Sequence, residues 1–184
     1  MSPGAGEDYF DHYERFLRRP VGRVVFEPPW GASIQVLQFA DVFADVGVVA
    51  SLGLSHYAGE VHGTVEVVFG ADFRVGRLPN ILGRGLFHVI QQGIPMHDGA
   101  VARVVALVDE EWARETGKPG LCFVAPTSFP DAFARTEGGR PVLQAVAISA
   151  GELALAERDG TVALLHALEA AGIDPFDVCR ASVA

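Results

Sequence analysis

Cysteine is scarce: Cys122 and Cys179 are the only two in 184 residues, far apart and outside any C-x-x-C pair. That spacing excludes a disulfide framework and the common zinc signatures, and both are expected as free core thiols in a reduced compartment. Basic residues are also few. Fourteen Lys and Arg stand against 23 Asp and Glu, a formal charge of -9, so the clustered cations of a nucleic-acid footprint are missing. Apolar runs are broken by Gly, Ser or charge well before the ~18 residues a membrane span needs. The start, Met1 to Asp11, is acidic and has no apolar core, so no signal peptide is expected. What the chain does have is 49% hydrophobic and 20% charged residues, enough for a full core and no case for disorder. A cytoplasmic protein is the expectation.

Catalytic signatures are missing as well. Ser55, His56 and Asp98 supply the residue types of a nucleophile, base and orienting acid. There is no G-x-S-x-G turn to expose the serine, and adjacent side chains on an extended segment point to opposite faces. His56, Glu60, His62 and His97 are metal-ligand types, yet Gly59 and Gly63 interrupt the helix that an H-E-x-x-H site requires. Gly76, Gly83 and Gly85 lie near a helix without the lysine or the strand–helix context of a phosphate loop. The bland readings of these groups are a strand-end turn, a solvated loop and a helix packed closely on a sheet. No catalytic residue, cofactor or metal is expected. A small hydrolase or metal-dependent enzyme using His56, His62 and His97 is the alternative.

Residues 1–6 read as a small, flexible lead-in, followed by an amphipathic helix from Glu7 to Arg19 carrying Tyr9, Phe10, Tyr13, Phe16 and Leu17, with Pro20 ending it. Glu27-Pro28-Pro29-Trp30-Gly31 is a turn with an aromatic anchor. Ser33 to Phe39 and Val46 to Leu54 are strands suited to antiparallel pairing, with the turn at Ala40-Asp41 or near Ala44-Asp45. Val46 to Leu54 is apolar enough to be buried on both sides. Thr64 to Phe69 alternates as a half-buried strand with Val65, Val67 and Phe69 on its apolar face. Leu78, Ile81, Leu82, Leu86, Val89 and Ile90 trace one helical stripe, opened by Pro79 and closed by Gly93. Val101 to Val108 and Leu121 to Ala125 are further strand candidates around a charged insert, Asp109 to Glu115, suited to a short helix. Val142 to Ile148 is an apolar strand. Ser149 and Glu152 form a capping box for a helix over Gly151 to Arg158, and Thr161 to Ala171 forms the last helix, stopped by Gly172.

The run Val48-Val49-Ala50-Ser51-Leu52-Gly53-Leu54-Ser55 ends a buried strand in a small-residue turn, and the helix at Leu86-Phe87-His88-Val89-Ile90 and the segment Met96-His97-Asp98-Gly99-Ala100-Val101 follow. Val142 to Ser149, Glu152, Gly160, Leu164-Leu165 and a closing Asp177-x-x-Arg180 with Ser182 come after these in order. This series resembles the suppressor-of-fused domain family over roughly residues 30–183, and in its length the chain is similar to the single-domain bacterial members. The resemblance implies an α/β (α+β) domain, a mixed central β-sheet flanked by helices, that grips a partner polypeptide. In animal members the partner is a transcription-factor peptide, whereas bacterial members are placed among immunity proteins that neutralise toxins. By the same resemblance His88 stands where animal members have an aromatic partner contact, and Asp98 falls near their acidic contact. A second acidic contact would fall around Thr127, where the nearest acid is Asp131, so the animal peptide is not transferred.

The expectation is therefore an N-terminal helix and lead-in over residues 1–29 and a suppressor-of-fused-like domain over 30–184. It binds a protein, with a toxin as the concrete partner, and neither nucleic acid nor membrane. The contact surface is expected at His88, His97 and Asp98, together with the turn from Ser55 to Tyr57.

Overall fold

In the computed structural model, residues 4–184 are described. The expected lead-in falls partly on residues 1–3, outside that range. From Ala5 the chain is already helical: α1 (Ala5–Leu17) buries Tyr9, Tyr13 and Leu17, one turn apart on a single stripe. The β1 strand (Gly22–Phe26) follows, then β2 (Ile34–Phe43) and β3 (Val46–Leu52), both antiparallel to their predecessors. The hairpin turns at Ala44-Asp45, where Asp45 adopts positive φ, and Asp41 does the same where the β2–β3 register slips between Phe39 and Phe43. Then come β4 (Glu66–Ala71) and α2 (Leu78–Gln91). Beyond them lie β5 (Ala100–Ala102), α3 (Val105–Val108), α4 (Glu110–Thr116) and β6 (Gly120–Val124). The chain closes with β7 (Val142–Ile148), α5 (Ala150–Asp159) and α6 (Thr161–Ala170).

The seven strands form one mixed sheet in the order β1-β2-β3-β4-β7-β6-β5. The three apolar segments singled out from sequence, now β3, β4 and β7, are its centre, with β4 and β7 parallel. One face carries α2, whose Leu82, Leu86 and Val89 pack with Val36, Val49, Val67 and Phe69. The other face carries α1, where Tyr9, Tyr13, Phe129 and Phe133 cover Leu37, Phe39, Val48 and Val68. Helices α5 and α6 cover the β6–β7 end through Leu153, Leu164 and Leu168 against Cys122 and Ile148. Leu86 sits at the centre of the α2 layer and is 1% exposed. Leu86→Ala is expected to cost about 3 kcal/mol through lost burial and a residual cavity, read from urea unfolding midpoints.

Several local expectations need correction. β4 is buried on both faces, all six residues of it, because α1 covers the side that alternation assigned to solvent. The proposed strand from Val101 to Val108 stops after Ala102. There the chain turns to pack Val104 on Gly85 of α2, and a four-residue helix takes the rest. The strand from Val46 ends at Leu52 rather than Leu54, since Gly53 turns the chain at φ 116°. Strand β1 was not foreseen and lies, with α1, before residue 30, and both pack into the sheet. Gly83 is where this matters: any Cβ there would run into the Phe26 ring of β1, so the glycine lets the edge strand sit on the helix backbone. Only Cys122 is a core thiol. Its burial pushes the thiol up to about 12, whereas Cys179 is exposed.

Candidate partner-binding surface

Of the residues that sequence placed on one surface, the structure buries Ser55 and Tyr57, half-buries His88 and leaves His97 and Asp98 exposed. After β3, the chain makes a 3-10 turn over Leu54–Tyr57 whose amides point at the side chain of Glu66. One carboxylate oxygen accepts from Gly53 N (2.8 Å) and Ser55 N (3.0 Å), the other from the Ser51 hydroxyl (2.6 Å) and Leu54 N (3.3 Å). Burial pushes the Glu66 carboxyl above the ordinary range, and the Ser51 hydroxyl with the Ser55 and Gly53 amides opposes that shift without cancelling it. This clasp draws Ser55 inward. Tyr57 is inward too: its hydroxyl donates to Ala32 O, and its ring meets Trp30 and Phe87 edge-on. Ser55 and Tyr57 are thus interior residues, 9% and 5% exposed, and the surface expected at this turn is represented by exposed His56 alone.

Among the described residues no hydrogen bond joins Ser55, His56 and Asp98, and no three His, Cys, Asp or Glu side chains converge as metal ligands, those of His56, Glu60, His62 and His97 included. A polar cleft of about 450 Å³ opens instead between α1 and the loop before β7, lined by Asp8, His12, Arg15, Glu137 and Arg140. Its groups are occupied with one another. Asp8 accepts from Thr136 Oγ1 and Arg140 Nη1 at 2.5 Å each, His12 Nε2 lies 2.9 Å from Phe133 O, and Arg15 pairs with Glu137. These bonds fasten the loop to α1.

His97 and Asp98 do reach the surface. They occupy a turn between α2 and β5, held by Gly99 N donating to Phe123 O and by Ala125 N donating to Asp98 Oδ1 at 3.0 Å. Gly99 has φ 88° and presses against Thr161 and Leu165, which seats the turn on the start of α6. Beside it runs a groove of about 530 Å³ between α6 and the β6–β7 end of the sheet. Its floor is apolar, formed by Val124, Val146, Leu165, Leu168 and Ile173, and two carboxylates, Asp98 and Glu169, stand among its walls. Thr127, the second position marked by family resemblance, lines the same groove as Asp98. His88 is half-buried on the last turn of α2 and is not part of that lining. Sequence reasoning missed Glu169 and the α6 floor. The visible signal was the pair Leu164-Leu165, of which the first enters the core and the second stays partly open to the groove.

No family model matches the chain. It is 30% identical over 162 residues to Immunity protein YqcF of Bacillus subtilis (strain 168), a match spanning 83% of this chain and 82% of that protein. Its fold matches the crystal structure of a suppressor-of-fused protein homologue from Neisseria gonorrhoeae FA 1090, with a TM-score of 0.74 at 15% identity. That match covers 98% of this chain and 97% of the other.

Proposed function

The chain belongs to the suppressor-of-fused-like family in its single-domain bacterial form, and from that premise we propose that it is an immunity protein that neutralises a toxin by binding it directly. The observation that carries the site is the Asp98 groove: an apolar floor flanked by two carboxylates, on a chain of net charge -9. It suits a toxin segment with apolar side chains and basic flanks, drawn in by charge and held by burial. His97 adjoins the groove at Asp98, while His88, Ser55 and Tyr57 serve the fold in this reading. The protein acts by occupancy and not by turnover. A cytoplasmic location goes with it, in keeping with free thiols and with the fact that no described helix is long and apolar enough to cross a membrane.

The test is to retrieve the toxin by co-purification from the native host, identify it by mass spectrometry and titrate its activity with the purified protein. Inhibition complete at one equivalent is the expected result. Inhibition at far less than one equivalent would overturn binding in favour of catalysis. Asp98→Asn keeps the acceptor for Ala125 N while removing the charge, and with Glu169→Gln it should weaken the toxin about tenfold per site, ~1.4 kcal/mol. Thermal unfolding should not change. His88→Ala is the contrast, expected to leave affinity intact; loss of binding there with none at Asp98 would move the site to α2.

A further inference from the structure

At the opposite end of the sheet from the Asp98 groove, β1 is an open edge. Among the described residues no strand neighbours its outer side, and its central residues Arg23, Val24 and Val25 are exposed. Val21 and Val25, at 72% and 45%, are among the most exposed large apolar side chains in the molecule. Natural sheets usually blunt such an edge with proline, a bulge or a covering loop. Here Pro20 precedes the strand and leaves its donors free, and β1 pairs with β2 in unbroken register. The register places Arg23 and Val25 on the α1 face, opposite Leu37 and Gln35. On that face a shallow groove of about 470 Å³ runs from β1 to the α1 helix, floored by Phe10, Leu37 and Leu52.

Charge singles out the occupant. Residues 15–26 hold Arg15, Arg18, Arg19 and Arg23 and no acid, in a chain whose net charge is -9. Arg15 is paired with Glu137 and Arg19 with Glu14, while Arg18 and Arg23 have no ion-pair partner among the described residues. A second copy of this chain would bring two such arginine groups together across the joined edges, which disfavours self-pairing. We propose that β1 is a docking edge for an acidic, extended polypeptide segment, which adds to the sheet as an eighth strand. Its backbone takes the free hydrogen-bonding groups of β1, its carboxylates lie on the α1 face where they meet Arg18 and Arg23, and the alternate apolar side chains lie on the other face beside Val24 and Phe26. This edge is independent of the toxin reading, since it differs from the Asp98 groove in place and in the charge it selects.

The experiment uses two capped eight-residue peptides, one alternating glutamate with valine and one alternating lysine with valine. Each is titrated into the full chain, with amide hydrogen exchange followed residue by residue. The expected result is slowed exchange confined to residues 20–26 with the glutamate peptide, and at least tenfold weaker binding of the lysine peptide. The double variant Arg18→Glu with Arg23→Glu should invert that preference, and its binding of the lysine peptide would itself report a folded edge. Equal binding of the two peptides, protection elsewhere in the sheet, or an unchanged preference in the double variant each overturns the proposal. So does a concentration-dependent dimer, seen by sedimentation, that protects β1 without peptide.

Discussion

Replacing Glu66 by alanine is expected to destabilise the protein by about 4 kcal/mol, the sum of four buried donors each losing its acceptor at ~1 kcal/mol. The donors are the amides of Gly53, Leu54 and Ser55 and the hydroxyl of Ser51, which in turn accepts from Val67 N at 2.9 Å. No water reaches them, because Glu66 and Ser51 are both 0% exposed. For a domain of this size such a loss lowers the thermal midpoint by about 8–16 °C. Glu66→Gln keeps one carbonyl oxygen and the side-chain volume, so it should cost only about 1–2 kcal/mol. If alanine proves no worse than glutamine in urea unfolding, the clasp is not what orders the turn. The pH response has a definite sign. The folded carboxyl lies above its unfolded value, so its stabilising contribution is full in acid and is lost as pH rises through the raised value. Glu66→Gln should remove that loss on the alkaline side.

The sheet centre and α2 were legible because their patterns are local. An apolar run with covered faces and a stripe at helical spacing need no knowledge of distant chain. β1 was not legible, since an edge strand exposed on much of both faces carries no alternation, and Val24-Val25-Phe26 merges into the turn at Pro28. The burial of β4 depended on α1, more than 40 residues earlier in the sequence, which no window around Thr64 to Phe69 can register. Glu66 left one trace, a lone acid within Val65-Glu66-Val67-Val68, but three of its four partners are backbone amides of another segment and have no residue signature. The groove was half legible. Asp98 and Thr127 came from a resemblance, while Glu169 and the α6 floor depend on where the last helix docks.

The same distinction explains why the closing Asp177-x-x-Arg180 pattern belongs with the Ser149–Glu152 capping box, and it sets the last expected result: Arg180→Ala should cost about 3–5 kcal/mol. Ser149 Oγ accepts from Glu152 N, and Glu152 accepts from Ser149 N at 2.7 Å, as the sequence implied. The carboxylate is then shared with the far end of the chain. Arg180 Nη1 reaches it at 2.6 Å, Val183 N at 3.0 Å, and Arg180 Nη2 also donates to Ala147 O. Lys118 Nζ donates to the Arg180 carbonyl, and Ser182 Oγ lies 2.7 Å from Ser149 Oγ. One ion pair therefore joins α5, β7 and the C-terminal segment with side chains only 7% and 0% exposed. Burial pushes the Glu152 carboxyl up, but the Arg180, Ser149 and Val183 donors outweigh it and hold the group below the ordinary carboxylate range. The sign is opposite to that of Glu66: this contribution is full above the unfolded value and is lost as pH falls through the lowered one. Arg180→Ala leaves a buried carboxylate with backbone partners only, which should raise the group's titration and shift acid unfolding to higher pH. Glu152→Gln with Arg180→Met removes both charges and should recover part of the loss. A single Arg180→Ala variant that matches wild type in both urea and acid unfolding would show that the C-terminal segment is held by Ser182 and its apolar contacts alone.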